Sequence, residues 1–146
     1  MEYLSYICPI RVRYADTDKM GFVYNGNYLT YFEVGRTELM RHFGLIYSEL
    51  EKAGYQLPLL ESYAKYRQPA FYDDLLEIEA KLMLNGGATI KFEYRILRKE
   101  DVITSGFTVH SFINIENKKP VKPPKIFTEG VERALAKIRE LNIDVI

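Results

Sequence analysis

Sulfur and imidazole are scarce in this 146-residue chain: Cys8 is its only cysteine, and His42 and His110 are its only histidines. One thiol excludes an intramolecular disulfide and fits a reducing compartment. Two His and one Cys are too few for an ordinary Cys/His zinc site. Tryptophan is absent, and no apolar run approaches the ~20 residues that a membrane helix needs. The opening MEYLSYICPI has no basic leader and is broken by Ser5 and Pro9, so it does not read as a signal peptide. Neither sign of charge is in excess: 20 basic and 20 acidic side chains balance, without the basic surplus that nucleic-acid binding draws on. A phosphate loop is missing, because NGGA lacks the following Lys-Ser/Thr, and so is the G-x-S-x-G elbow of serine hydrolases. The expectation is a cytoplasmic protein with no nucleic-acid partner, no transmembrane segment, no metal and no cofactor. Carboxylates remain as the candidate chemistry.

What the chain does contain is apolar and aromatic surface, with 47% hydrophobic residues, twelve Tyr and eight Phe. That is enough for a core, and residues 1–146 are expected to form one domain. A first strand is expected over Ile10 to Tyr14, with Arg11 and Arg13 on one face and Val12 and Tyr14 on the other. A helix follows from Asn27 to Phe43, with Tyr28, Phe32, Gly35, Leu39 and Phe43 along one side. Gly35 within it costs about 1 kcal/mol against alanine, which close approach of the helix to a sheet would offset. A short helix, YSELEKAG, ends at Gly54. Strand alternation then dominates: Leu59 to Gln68; Leu76, Ile78, Ala80, Leu82 and Leu84; a turn at Asn85-Gly86-Gly87; Ile90, Phe92, Tyr94 and Ile96. After a turn at RKED, GFTVHSFINI places Phe107, Val109, Ser111 and Ile113 on one side. Thr128 is expected to cap a terminal helix. This is an α+β order, with helices on one face of an antiparallel sheet.

Between the first strand and the long helix lies YADTDKMGFVYNGNY, with two acids one residue apart, then glycines and aromatics. From the residues alone, Asp18 has two readings: a turn or cap acid, or a carboxylate that does chemistry. Asp16 reads as a structural acid bonding the loop. Asp73-Asp74 reads as a turn acid before a strand, Glu33 and Arg36 as a surface ion pair, and His110 as a packed histidine.

The stretch resembles the signature of hot-dog-fold acyl-CoA thioesterases, specifically the 4-hydroxybenzoyl-CoA thioesterase family and its Tol-Pal-associated branch. Tyr14, Asp16, Thr17, Asp18, Gly21, Val23, Tyr24 and Tyr28 fall on that pattern, with Arg36-Thr37-Glu38 after them. A second block matches at Pro69, Ala70, Tyr72, Asp73, Asp74, Leu76 and Ile78.

The resemblance implies a hot-dog fold, a long helix wrapped by a curled antiparallel sheet of about five strands, with a C-terminal helix beyond. It implies an acyl-CoA substrate and a homodimer or homotetramer with active sites at the subunit interface. It also implies Asp18 as the catalytic carboxylate, as general base or as nucleophile, and the backbone N–H of Asn25 as the donor to the thioester carbonyl. Asn25 is a departure, since the Tol-Pal branch often has His there. Tyr24 and Tyr28 are candidate substrate-binding residues, and so is Glu33 as a second acid. For the coenzyme A phosphates, Lys65 and Arg67, or Lys118, Lys119 and Lys122, are candidate cations or else solvated charges. The alternatives are an acyl-carrier-protein thioesterase on the same fold, or a non-catalytic acyl-CoA-binding or envelope-associated scaffold.

Overall fold

The computed structural model describes residues 2–84 and 86–144, with side chains to residue 141. Strand β1 spans Glu2–Arg11, and a 3-10 turn at Tyr14–Asp16 leads to helix α1, Asn27–His42. Helix α2 (Tyr47–Lys52), β2 (Tyr55–Gln56) and β3 (Leu59–Tyr66) follow. Then come β4 (Leu75–Leu84), β5 (Thr89–Arg98), β6 (Asp101–Asn114), β7 (Pro120–Val121) and α3 (Lys125–Asp144). The long strands form an antiparallel sheet in the order β1-β4-β5-β6-β3, and the two-residue β2 and β7 pair with the far end of β6.

Several elements differ from expectation at their boundaries: β6, expected from Gly106, begins at Asp101, β3 ends at Tyr66 rather than Gln68, and α2 ends at Lys52 rather than Gly54. The first strand is the N-terminal segment, not Ile10 to Tyr14. The chain leaves β1 after Arg11, so Val12 is buried while Tyr14 is 78% exposed. The interruptions at Ser5 and Pro9 do not stop it, because β1 is an edge strand, paired among the described residues only with β4, where a missing N–H is tolerated. The last helix begins at Lys125, and Thr128 lies inside its first turn rather than at the cap. The Pro124 carbonyl closes that turn, accepting from the N–H of Phe127 at 2.9 Å and of Thr128 at 3.0 Å. Of the expected Asn85-Gly86-Gly87 turn, Asn85 lies outside the described residues, and Gly86 has the left-handed φ of 71° that such a turn uses.

The core sits between α1 and the sheet. Leu76, Ile78, Ala80 and Leu82 of β4 and Ile90, Phe92, Tyr94 and Ile96 of β5 are buried, facing Phe32, Gly35 and Leu39 of α1. Each fully buried Leu, Ile or Phe stabilises by about 1.5–3 kcal/mol relative to exposure. Phe32 stacks on Tyr94 with centroids 4.3 Å apart. A Cβ on Gly35 would lie 2.5 Å from Ile78 Cγ2, so the helix approaches the sheet as closely as glycine permits.

Strand β6 turns its other face inward. Thr104, Thr108, His110 and Phe112 are buried; on the other face Ser111 is buried too, while Phe107, Val109 and Ile113 are half-buried. The polar members form a chain: Tyr94 Oη to Thr108 Oγ1 at 2.6 Å, Thr108 Oγ1 to His110 Nε2 at 2.9 Å, and His110 Nδ1 to the Leu57 carbonyl at 3.3 Å. Burial, then the charge of Arg36, pushes the His110 pKa down to about 4, so the imidazole is neutral at pH 7. Arg36 makes no ion pair with Glu33 among the described residues; its charge falls on Tyr94 and His110 instead. No described helix is long and apolar enough to cross a membrane.

Replacing Gly35 by alanine forces Ile78 or the helix to move. The expected penalty is about 1–3 kcal/mol, read as a drop of roughly 2–10 °C in a thermal melt. An unchanged midpoint would show that the contact carries no strain to relieve.

Candidate active site

The loop before α1 is a small hairpin. Thr17 bridges to Val23, the Asp18 N–H donates to the Phe22 carbonyl at 3.1 Å, and the Gly21 N–H donates to the Asp18 carbonyl at 3.0 Å. Gly21 has φ 89°, a left-handed conformation that glycine adopts without penalty. The Asp18 carboxylate accepts from the Met20 N–H at 2.9 Å through Oδ1, and Oδ2 has no partner among the described residues.

Asp16 ties this hairpin down. Its carboxylate is buried and accepts from the Arg13 N–H (3.0 Å), Arg13 Nη2 (3.0 Å) and Tyr31 Oη (2.9 Å). Its carbonyl accepts from the Tyr24 N–H at 2.9 Å and Asn27 Nδ2 at 2.8 Å. Burial is the largest single influence and raises its pKa, but the Arg13 and Tyr31 bonds together outweigh it, and the carboxyl is held below its ordinary 3.8. Tyr31 is pushed upward by burial and then by its bond to Asp16.

The two sequence blocks are joined in space. The Val23 N–H donates to the Ala70 carbonyl at 2.9 Å, and Phe22 bridges to Phe71. The segment around Ala70 is braced by Asp74, whose Oδ2 accepts from the Phe71 N–H and from Arg98 Nη1, both at 2.9 Å. Asp73 and Asp74 therefore end a turn into β4, Asp73 in a left-handed conformation with φ 69°.

Hairpin, helix start and the end of β3 enclose a cleft of about 430 Å³. Asp18, Phe22, Tyr24, Asn25, Tyr28 and Tyr66 line it, with Met20, Val23, Arg67, Gln68 and Pro69. Four of the five expected site residues, Asp18, Tyr24, Asn25 and Tyr28, are thus brought together. The fifth, Glu33, is exposed and lines a separate cavity with Arg36, Thr37 and His110. The Asn27, Tyr28 and Leu29 N–H groups donate to the carbonyls of Tyr24, Asn25 and Gly26, which leaves the N–H groups of Asn25 and Gly26 without an acceptor among the described residues. Such free amides at a helix start attract an anion or a carbonyl oxygen that gains negative charge.

A family model described as the thioesterase-like superfamily matches residues 12–135, which takes in both blocks and the whole cleft. The chain belongs to that superfamily. Its α+β architecture is the hot-dog fold, shared with solved relatives. A DHNA-CoA thioesterase of Staphylococcus aureus superposes with a TM-score of 0.82 at 29% identity, covering 97% of this chain and 95% of that one. A hypothetical protein of Aquifex aeolicus superposes at 0.80 with 33% identity, covering 86% and 98%. In sequence, the acyl-CoA thioesterase YbgC of Haemophilus influenzae is 34% identical over 118 residues, 80% of this chain and 87% of that protein.

Sequence reasoning missed Tyr66 and Phe22 in this thioesterase-like cleft. Tyr66 opens the second block, YRQPAFYDD, and its closeness to that block was the available signal. Its ring lies 5.5 Å from that of Tyr28. Of the candidate cations, Arg67 reaches the cleft, and its Nη2 donates to Ser105 Oγ at 3.4 Å. The cysteine and the other histidine lie outside this cleft. Cys8 is buried, its thiol pushed up by burial and then by Glu38, and His42 stacks on Tyr6 at 4.4 Å.

The depressed pKa of Asp16 has a pH signature. A carboxyl that is more acidic folded than unfolded contributes stability that is complete above its ordinary value and is lost as pH falls through the folded one. Asp16→Asn is expected to melt lower than wild type at pH 7 by several degrees, for about 1–3 kcal/mol of lost bonding. That gap should narrow below pH 3.8, the ordinary value. A gap that stays constant to pH 2.5 contradicts the assignment.

Proposed function

We propose that this chain, a thioester hydrolase by family, cleaves acyl-CoA to a free acid and coenzyme A in the cleft around Asp18. The observation that carries the reading is that one aromatic-lined cleft holds both Asp18, with a carboxylate oxygen that has no donor among the described residues, and Asn25, whose backbone N–H has no acceptor among them. Asp18 supplies the base or the nucleophile. As base it takes a proton from water while that water attacks the carbonyl carbon. As nucleophile it forms a mixed anhydride, which water then opens. In either route the C–S bond breaks, the thiolate leaves, and charge gathers on the carbonyl oxygen. The Asn25 N–H and the positive end of α1 stabilise that charge, and one such donor is worth about 100- to 1000-fold in rate. A thiolate leaves readily, so this set calls for no metal or redox partner.

Phe22, Tyr24, Tyr28 and Tyr66 line the cleft, which favours an aromatic acyl group. Together with the two matching blocks, this supports placement in the 4-hydroxybenzoyl-CoA thioesterase family, on its Tol-Pal-associated branch. Arg67 at the rim is suited to a coenzyme A phosphate. The molecule would work as a homodimer. Among the described residues β3 pairs only with β6, and it exposes Leu59, Leu60 and Tyr63, a hydrophobic strand at the sheet's edge that a second copy would cover.

Thiol release from short, long and aromatic acyl-CoAs tests the chemistry, with an enzyme-only blank for Cys8. Asp18→Asn is expected to lose at least about 100-fold in kcat, with an unchanged melting midpoint. Equal rates for wild type and variant on every substrate would sink the assignment of Asp18. Light scattering tests the assembly: at least twice 17.1 kDa is expected, with Leu60→Asp shifting the chain toward monomer. A monomeric wild type removes the β3 interface and leaves the Asp18 test standing.

A further inference from the structure

We infer that Tyr66 is a positioning residue for the thioester reaction, its hydroxyl fixing the peptide that presents the Gly26 N–H as a second donor to the carbonyl oxygen. The inference rests on the acyl-CoA reading and adds to it a residue and a donor.

The Asn25 carbonyl and the Gly26 N–H belong to one planar peptide unit and point in opposite directions. That carbonyl accepts from Tyr66 Oη at 3.2 Å and from the Tyr28 N–H at 3.3 Å. Two donors occupy its two lone pairs, so the tilt of the unit is set from both sides. Gly26 is the N-cap residue with φ −64° and ψ −24°, and its own N–H has no acceptor among the described residues. In helical geometry such an amide points out past the first turn, and the residues on either side of Gly26 in the chain that line the cleft are Tyr24, Asn25 and Tyr28. Donors on a carbonyl also polarise the amide on the same unit, which strengthens the N–H as a donor.

Tyr66 comes from the opposite wall. It is the last residue of β3, and its hydroxyl bond crosses from strand to helix start. Its ring contact with Tyr28 is separate from that bond and survives loss of the hydroxyl. Tyr66→Phe therefore removes the carbonyl donor and keeps the packing. A donor that is free to tilt loses part of its effect in the transition state, where distance and angle count most.

The test compares wild type, Tyr66→Phe and Tyr66→Ala on whichever acyl-CoA wild type cleaves. Tyr66→Phe is expected to lower kcat by about 10- to 100-fold, with KM within about threefold and an unchanged melting midpoint. The Gly26 amide resonance, read in a nitrogen-15 correlation spectrum, should move in Tyr66→Phe. Tyr66→Ala should match its kcat loss and add a rise in KM from the lost ring. Wild-type kcat in Tyr66→Phe, or an unmoved Gly26 resonance, overturns the inference. A wild type inert on every acyl-CoA fails the substrate reading instead, and the Gly26 resonance still reports on whether Tyr66 sets the peptide.

Discussion

The Asp16 carboxylate, buried and bonded to Tyr31 Oη at 2.9 Å, ties the hairpin to the first turns of α1, and the cleft depends on that charge being satisfied. A carboxylate withdrawn from water is tolerated only when donors replace its solvation. Here a backbone N–H, a guanidinium and a phenol do so, and they come from two elements: Arg13 precedes the 3-10 turn, and Tyr31 lies within the helix. The same residue then uses its carbonyl to hold the Tyr24 N–H and the Asn27 amide. One aspartate thus sets both ends of the hairpin against the helix start. The second acid, two residues later, is left half-exposed with one oxygen engaged by its own turn. Identical side chains two positions apart are separated in role by burial and partners alone.

The clamp would fix nothing if the helix itself could slide. Its position is set by contacts that allow little adjustment. Gly35 lets the backbone settle on Ile78, and the Phe32 ring lies parallel to Tyr94 within 4°. Beneath these contacts runs the polar chain from Tyr94 through Thr108 to His110 and the Leu57 carbonyl. A buried, fully bonded, neutral imidazole is a structural group, and its place away from Asp18 argues against proton transfer through His110. Helix register, hairpin and cleft are therefore set together, which would suit the proposed backbone donors, since these cannot adjust by changing rotamer.

The α+β order, the extent of α1 and the inward faces of β4 and β5 were legible because clean periodicity met strong turn residues. Gly35 was legible as a close approach because its intrinsic penalty demanded compensation. The inward face of β6 was legible only at His110, read as packed, since Thr104 and Thr108 look like solvent-facing residues, and the bond from Thr108 to Tyr94 of β5 shows only in the fold. β1 was hidden by Ser5 and Pro9, tolerable because the strand lies at an edge. Thr128 was read as a cap because a hydroxyl there usually is one, whereas the Pro124 carbonyl closes the first turn four residues earlier. In the cleft, Asp18 and Asn25 were named as candidates through family resemblance, and both line it. Tyr66 required the third dimension, because nothing local says that the end of β3 reaches the start of a helix 41 residues earlier.

The composition of the cleft also weighs between a catalyst and a binding module. Coenzyme A is a polyanion, so a protein that only holds an acyl-CoA gains by keeping carboxylates out of the pocket. Asp18 is half-buried, so part of its hydration is lost, and it lines the cleft with Phe22, Tyr24 and Tyr28, where a bound acyl group would meet it. For binding alone that arrangement is unfavourable twice over, through desolvation and through repulsion of the ligand's charge. Both penalties make sense if the acid meets the carbonyl carbon, where an anion or the water it activates is the reactant, while the amide-lined helix start meets the oxygen. Opposed polarity across one small volume serves a carbonyl that is becoming tetrahedral better than one at rest. This asymmetry, more than the fold that carries it, separates hydrolysis from storage.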